Sequence, residues 1–209
     1  IVYWGFMVKN RLYTLLHITS KKKYEQIKKC KKLLPSVHNV SENKIQWLGS
    51  GIYFWDSNDD LAISTGKNLV RGKLKCSKLV GIIVPVDLDR HLDLENGDWN
   101  QLYIKFLKTY FPDNYEKLVD YLNMVKNMKK IDTVNLNKIG ELIGDTIDLF
   151  LKALKEKEIE FDMVSGYFLH GRSDRLIFNR NSKMIRQFCV KNENIVNNIV
   201  NKWIISYDI

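Results

Sequence analysis

Residues 46–55 read QWLGSGIYFW, and this segment decides the fold. Two glycines, Gly49 and Gly51, precede a run of four large apolar or aromatic residues that ends at Trp55. A short run of this kind is typical of a strand that is buried on both faces or that presents an aromatic wall to a ligand. The glycines allow a tight turn or a close approach of the backbone to a ligand. The segment therefore predicts an aromatic strand beside a tight turn.

Length and composition predict one globular domain. The chain has 209 residues, of which 45% are hydrophobic, and this is enough for a packed core. No apolar run approaches the roughly 20 residues that span a bilayer, so no membrane contact is expected. Three widely spaced cysteines, Cys30, Cys76 and Cys189, do not indicate a disulfide framework or a zinc site. A cytoplasmic location is expected, and a first residue that is Ile rather than Met is consistent with a larger parent protein.

The net charge of +9 suits an anionic partner such as a nucleic acid or a dinucleotide. Seven lysines lie between Lys21 and Lys32. They form either a solvated helix face or a basic patch that faces a phosphate chain. A lysine-rich composition from an AT-rich genome explains the same net charge without any function. Charge alone therefore leaves the partner open.

Strand and helix patterns are irregularly mixed along the chain. Apolar residues at steps of three or four predict two or three helices within residues 99–160. Clustered helices and irregularly spaced strands favour an α+β domain with mixed or antiparallel sheets. We therefore expect a single domain over residues 1–209, with a helical insert at about 99–160. The other strand patterns lie at residues 11–17, 79–86, 161–169, 184–191 and 203–207. The other helix patterns lie at 21–34, with Ser20 as its N-cap and Pro35 after its end, and at 61–68.

Several common active-site motifs are missing. The chain has neither a dinucleotide-binding glycine pattern nor a phosphate-binding loop, and no serine lies in a nucleophile elbow. Its histidines, at positions 17, 38, 91 and 170, form no metal-ligand pattern with Cys, Asp or Glu, so no metal is expected. His17 differs from the others because it ends an apolar strand, a common position for a functional residue. The alternative is a histidine that only hydrogen-bonds the following turn.

Three segments together resemble the motifs of ADP-ribosyltransferases of the histidine-tyrosine-glutamate class. This class includes diphtheria-toxin-like toxins and poly(ADP-ribose) polymerases. The first segment has His17 in LYTLLHITS, the second has Tyr53 in GSGIYFW, and the third has Gln187 in MIRQFCV, where the class usually has glutamate. A narrower resemblance to an uncharacterised bacterial family implies no function. It is carried by residues 47–55, 92–94, 161–166 and 185–187.

The resemblance implies a split mixed or antiparallel sheet like that of the ADP-ribosyltransferases, with NAD as co-substrate. His17 would hydrogen-bond the 2′-hydroxyl of the adenine-side ribose, and Tyr53 would stack on the nicotinamide ring. Thr19 and Ser20 would flank the ribose, and Gly51 would belong to the same NAD-binding set. Aromatic stacking with a few placed polar groups suits a planar cation such as nicotinamide.

Gln187 is the departure from the class that bears on catalysis. Glutamine keeps the hydrogen bonding of glutamate, but it carries no charge and cannot act as a base. One interpretation is an acceptor that needs little deprotonation. A second is that Asp56, Asp174 or His170 supplies the missing chemistry. A third is a domain that binds NAD poorly and is inactive.

The loop at residues 171–183 is rich in arginine and, by the resemblance, would recognise the acceptor. Arg172, Arg175 and Arg180 would pair with phosphates or with an acidic protein surface. Phe178 would stack on a base or contact a protein acceptor. The alternative is a solvated loop, with Phe178 folded back into the core.

The leading hypothesis is a mono-ADP-ribosyltransferase that cleaves NAD and transfers ADP-ribose to a nucleic acid or a protein. Its catalytic residues would be His17, Tyr53 and Gln187. A toxin or phage-defence role, with an antitoxin partner, is consistent with the class. One alternative is a non-catalytic basic module that binds nucleic acid through residues 21–32 and 172–186. The other is an NAD glycohydrolase, in which water replaces the acceptor.

Overall fold

A computed structural model of the chain describes residues 13–42, 44–74, 79–86, 90–127, 133–169, 184–202 and 205–208. Helices and strands are mixed along these residues, which confirms the predicted α+β class. The strands are β1 (Tyr13–Ser20), β2 (Ile52–Asp56), β3 (Leu79–Val86), β4 (His91–Asp93), β5 (Met163–Leu169), β6 (Met184–Val190) and β7 (Ile205–Asp208). The helices are α1 (Lys21–Cys30), α2 (Asp60–Leu74), α3 (Gly97–Tyr110), α4 (Pro112–Asn127), α5 (Thr133–Lys155) and α6 (Glu193–Lys202).

The described strands form one sheet in the order β4-β5-β6-β2-β1-β3-β7. Strands β4 and β5 are parallel, and every other neighbouring pair is antiparallel, so the sheet is mixed as predicted. The predicted split into two sheets is wrong, because β2 hydrogen-bonds to β6 on one side and to β1 on the other. The β1–β2 ladder is short, however, and pairs only Leu15 with Asp56 and Leu16 with Trp55. By contrast, β1 pairs with β3 along its whole length.

The local sequence sets the limits of α1. The Ser20 hydroxyl accepts a hydrogen bond from the Lys23 amide at 3.2 Å, so Ser20 is the predicted N-cap. The helix ends at Cys30, four residues before the predicted end at Leu34. Lys31 has a left-handed backbone, with φ of 51°, and this conformation ends the helix before Pro35 is reached.

The other differences from the predicted elements are also local. The Asp59 carboxylate accepts a hydrogen bond from the Leu61 amide at 2.9 Å and caps α2, which continues to Leu74 rather than ending at residue 68. The helix α6, which follows β6 after a turn of two residues, was not predicted.

Helices α3, α4 and α5 occupy the segment in which a helical insert was expected. Their inward sides form one apolar cluster, in which Ile139, Ile147 and Phe150 of α5 are at most 2% exposed. The Tyr103 hydroxyl of α3 hydrogen-bonds to Thr146 of α5 at 2.6 Å, which satisfies two polar groups inside the cluster. No helix in the described part of the chain is both long enough and apolar enough to cross a membrane.

The sheet has two faces, each covered by different helices. Successive side chains of a strand point to opposite faces, and directly paired residues share a face. We call face 1 the side with Tyr53, Trp55 and Gln187, and face 2 the side with Phe54 and Phe188. On face 1, Trp55 packs in a cluster with residues of α2, and Tyr53 packs against the cluster of α3 and α5. On face 2, Phe54 and Phe188 pack with residues of α1 and α6.

The turn before β2, residues 48–51, requires both of its glycines. Gly49 has φ of +71° and Gly51 has φ of +156°. A residue with a side chain would be strained in either conformation. A Cβ on Gly49 would collide with the Asp148 carboxylate of α5. A Cβ on Gly51 would lie 2.6 Å from the Val190 carbonyl oxygen of β6. The glycines therefore allow the turn to sit directly against α5 and β6.

An ion pair holds this turn in place. Lys191, which follows β6, donates hydrogen bonds to the carbonyl oxygens of Leu48 at 2.5 Å and Ser50 at 2.8 Å. Its ammonium nitrogen also lies 2.6 Å from a carboxylate oxygen of Asp148. The other Asp148 oxygen accepts a hydrogen bond from the Ser50 amide at 2.8 Å. We call this arrangement the Lys191–Asp148 clamp, because it joins β6, α5 and the turn before β2.

Replacing Lys191 with methionine should destabilise the fold. The substitution keeps the length of the side chain but leaves two carbonyl oxygens and the Asp148 carboxylate without their cation. We expect the free energy of unfolding, measured by urea denaturation, to fall by about 2–4 kcal/mol. The matched control is Lys155→Met, because Lys155 is 72% exposed and pairs with Glu160 at the surface. That variant should lose less than about 1 kcal/mol, and equal losses in both variants would contradict the clamp.

Candidate functional site

The three motif strands lie side by side at the centre of the sheet. Strand β2, with Tyr53, is flanked by β1, with His17, and by β6, with Gln187. These residues are far apart in the sequence, so only the sheet brings their strands together. The arrangement makes the centre of the sheet the candidate functional site.

The side chains of the motif residues do not all point the same way. Because Leu16 pairs with Trp55, the residue that follows Leu16 projects to face 2. The His17 ring accordingly makes an edge contact with the Phe54 ring, with 5.6 Å between the ring centroids. Tyr53 and Gln187 lie on face 1. The structure therefore brings Tyr53 and Gln187 onto one surface and places His17 on the other.

His17 lies where the β1–β2 ladder has ended. Its Nδ1 atom is 2.9 Å from the carbonyl oxygen of Tyr53, which can only accept, so Nδ1 carries the proton in this contact. The imidazole thus provides the Tyr53 carbonyl oxygen with a hydrogen bond where no pairing between β1 and β2 is present. Burial lowers the pKa of His17, the hydrogen bond to the Tyr53 carbonyl opposes this in part, and the charge of Lys23 adds a smaller lowering. The ring is therefore neutral at pH 7, and Nε2 has the accepting lone pair.

Tyr53 is held by its hydroxyl group. The hydroxyl donates to the Gly49 carbonyl oxygen at 2.8 Å and accepts from the Leu48 amide at 2.8 Å. Burial raises the pKa of Tyr53 well above its ordinary value, so the group stays protonated. The half-buried ring packs against the cluster that contains Leu48 and Cys189. Tyr53 therefore has a fixed ring and fastens the turn before β2.

Gln187 is a buried polar residue between two apolar regions of face 1. Along β6, Ile185 belongs to the cluster under α2 and Cys189 to the cluster under α3 and α5, and Gln187 lies between them at 8% exposure. Its partner on β5 is Gly166, which contributes no side chain beside it. The Gln187 amide, which can both donate and accept, thus lies at the boundary between α2 and the helical insert.

The other residues of the expected NAD-binding set lie at the end of β1 and in the turn before β2. Thr19 is buried, and the Ser20 hydroxyl caps α1. The close approach that Gly51 permits within the fold is to β6, and its place in the NAD-binding set stays a prediction. The Asp56 carboxylate caps the turn after β2 by accepting from the Asn58 amide at 2.9 Å. It follows Phe54 on face 2, away from Gln187.

The expected acceptor-binding residues belong to the segment that precedes β6 in the sequence. They lie outside the described residues, as do the two alternative sources of acid–base chemistry in the same segment. The residues concerned are Arg172, Arg175, Phe178 and Arg180, with His170 and Asp174.

A polar cluster on face 2 was not predicted. His91 Nε2 lies 2.8 Å from the Ser165 hydroxyl oxygen, which lies 3.2 Å from Asp93. Arg186 donates to Asp93 at 2.7 Å and to Ser165 at 3.1 Å. The cluster ties the edge strand β4 to β5 and β6. The polar–apolar–polar pattern of residues 91–93 was the sequence signal for it, because alternation places His91 and Asp93 on one face.

This cluster keeps its histidine neutral. Burial lowers the pKa of His91 to about 4, with a smaller lowering by the Arg186 charge and an opposing effect of Asp93. A neutral imidazole can donate from Nε2 to Ser165, whose hydroxyl then donates to Asp93. The hydroxyl of Ser165 is fully buried and is used within the cluster, so the arrangement is that of a structural network. The described residues contain no group of three His, Cys, Asp or Glu side chains that could hold a metal ion.

No family model, curated protein or solved structure matches this chain.

Replacing Tyr53 with phenylalanine separates the structural role of the hydroxyl from that of the ring. The variant keeps the aromatic face but leaves the Leu48 amide and the Gly49 carbonyl without a partner. We expect a loss of about 1–3 kcal/mol in the free energy of unfolding, measured by urea denaturation. Tyr110→Phe is the matched control, because Tyr110 is 66% exposed. An unchanged stability of Tyr53→Phe would show that these hydrogen bonds do not hold the turn.

The His91 cluster should make stability depend on pH. The unfolded chain takes up a proton on this histidine near its ordinary pKa of 6.5, whereas the folded protein does so only near pH 4. Stability is therefore fully present above about pH 6.5 and is lost as the pH falls, at up to about 1.4 kcal/mol per pH unit. The measurement is urea denaturation of the wild type and His91→Gln across this range. Carboxylates titrate in both proteins, so the difference between the two profiles isolates His91, and parallel profiles would contradict the assignment.

Proposed function

We propose that this chain is an NAD-dependent mono-ADP-ribosyltransferase, with the nicotinamide end of NAD on face 1 beside Tyr53 and Gln187. The observation that carries the proposal is the adjacency of the three motif strands, with two of the motif side chains on one face. Tyr53 pairs with Cys189, which makes Gln187 its diagonal neighbour. Diagonal neighbours in an antiparallel pair are about 7–8 Å apart. In the proposal, this span holds the ribose and its attached nicotinamide ring.

Tyr53 provides the wall for the nicotinamide ring. Its hydroxyl is bound to the turn before β2, so the ring is oriented before any ligand arrives. A fixed aromatic face favours a planar cation through stacking and cation–π attraction.

Gln187 binds the ribose in this proposal. Cleavage breaks the bond between C1′ of the ribose and the nicotinamide nitrogen, and nicotinamide leaves as a neutral molecule with the bonding electrons. The amide oxygen of Gln187 accepts from a ribose hydroxyl, and its dipole stabilises the positive charge that builds on the sugar. A lone pair of the acceptor forms the new bond to C1′, and the acceptor's proton passes to water because Gln187 cannot take it. Such a site suits single transfers to an acceptor that needs little deprotonation.

His17 acts through the backbone of β2. It lies on face 2 and holds the Tyr53 carbonyl oxygen, so it positions the strand that carries the stacking ring. This role differs from the direct ribose contact that the sequence resemblance implies.

The proposal is tested with NAD labelled in its adenylate phosphate. Wild-type protein should release nicotinamide and transfer label to a macromolecule, and loss of the label after nuclease or after protease identifies the class of acceptor. Gln187→Ala should lower the rate of nicotinamide release about 100-fold, because one hydrogen bond to the reacting sugar is lost. Gln187→Glu should raise the release of nicotinamide, because a carboxylate stabilises the developing charge more strongly.

The matched controls are Gln101→Ala and Gln101→Glu, because Gln101 is exposed on α3. Both controls should keep the wild-type rate. Release of nicotinamide without labelled macromolecules would favour an NAD glycohydrolase. The enzyme proposal fails if the wild type does not turn over NAD, and the site fails if Gln187→Ala behaves like Gln101→Ala.

A further inference from the structure

The positive charge of this protein is concentrated in one short segment. Residues 21–32 contain seven lysines and one glutamate, and they account for +6 of the net charge of +9. The other 197 residues hold 26 Lys or Arg and 23 Asp or Glu, so they are close to neutral. A lysine-rich composition alone would spread this charge along the chain. The concentration therefore calls for a local explanation.

The lysines of this segment face the solvent. All seven are exposed, and no ion pair joins any of them to a carboxylate of the described residues. At about 100° per residue, Lys21, Lys22, Lys28 and Lys29 lie within about 120° of the helix circumference. We call these four residues the lysine face of α1. At about 1.5 Å per residue the face is about 12 Å long, which matches three to four nucleotides at about 3.4 Å each.

The opposite side of α1 is already used. Tyr24 and Ile27 pack on the cluster of face 2 that contains Phe54 and Phe188. A helix that binds a lipid surface buries its apolar side among the acyl chains, and α1 has no such side to offer. The exposed Leu34, Val37 and Val40 lie beyond the end of the helix and not on it. The surface of α1 thus suits a phosphodiester chain better than a membrane.

The lysine face lies near the end of β1, the strand that carries His17. Strand β1 passes directly into α1, so Lys21 follows His17 by four residues. The charge of Lys23 is near enough to His17 to lower the pKa of its imidazole. Because α1 packs on face 2, a polyanion bound along it would lie beside the end of β1, and its chain would pass that end to reach Tyr53 and Gln187 on face 1.

We propose that the acceptor is a nucleic acid, whose phosphodiester backbone docks on the lysine face of α1. The role of the nucleic acid as acceptor rests on the proposed function, whereas its docking on α1 does not require catalysis. The lysines bind phosphates without reading the bases, so the face provides affinity and placement rather than sequence specificity.

The test measures the binding of fluorescein-labelled single-stranded RNA, single-stranded DNA and duplex DNA by anisotropy, from about 50 to about 200 mM salt. The variant carries Lys21→Gln, Lys22→Gln, Lys28→Gln and Lys29→Gln. The matched control removes the same charge from exposed positions elsewhere, by Lys105→Gln, Lys117→Gln, Lys152→Gln and Lys157→Gln.

We expect the four substitutions on the lysine face to weaken binding at least tenfold. They should also reduce the slope of log affinity against log salt by about 3, since each lost phosphate contact removes about 0.7–0.9. The control should change affinity less than about threefold and leave the slope unchanged. Glu25→Gln removes the one acidic residue of the segment and should tighten binding. This last variant is independent of any loss of folding.

Three results would overturn the inference. The first is an equal loss in both quadruple variants, which would mean that binding follows net charge and not this face. The second is wild-type protein that binds phosphatidylserine vesicles but no oligonucleotide. The third is a lysine-face variant that transfers label from NAD to an oligonucleotide at the wild-type rate.

The enzyme proposal fails by a different result. Oligonucleotide binding that depends on the lysine face, without any release of nicotinamide from NAD, would leave the docking inference standing and make the chain a non-catalytic nucleic-acid-binding module. Transfer of label to protein without oligonucleotide binding would leave the enzyme standing and remove the docking inference.

Discussion

The ion pair between Lys191 and Asp148 joins three parts of the fold that are distant in the sequence. It connects the end of β6 to helix α5 of the insert and to the turn that leads into β2. The pair is partly buried, so it acts in a medium where an uncompensated charge is costly. Because Tyr53 hydrogen-bonds the same turn, the clamp also orients the ring at the centre of the sheet. The geometry of the candidate site thus depends on a contact outside it.

A second constraint is the short ladder between β1 and β2. After two residue pairs the strands no longer pair, and the His17 imidazole takes the carbonyl group that a ladder bond would have taken. A buried carbonyl without a partner is costly, so this histidine has a structural reason for its position. The same register puts His17 on face 2 while Tyr53 and Gln187 lie on face 1. In the proposed function, stacking and ribose binding therefore come from face 1, and His17 supports the strand from face 2.

Local signals predicted local features well. The Ser20 cap, the strand at residues 79–86 and the helices of the insert followed from side-chain chemistry and periodicity within a few residues. The end of α1 and the presence of α6 were missed, since a left-handed Lys31 and a short helix give weak signals. The cluster of His91, Asp93, Ser165 and Arg186 was not predicted for a different reason. Its members come from three strands that only the sheet brings together.

The sequence by itself determined the α+β class, the aromatic strand behind its Gly-Ser-Gly turn, and the concentration of charge in residues 21–32. These properties depend on composition and on residues close together in the chain. Only the tertiary structure decided that one continuous sheet forms, that β2 lies between β1 and β6, and that His17 faces away from Tyr53 and Gln187. The physical reason is the two-residue repeat of a strand. A shift of one position in pairing turns every side chain to the other face, and pairing partners are set by contacts distant in sequence.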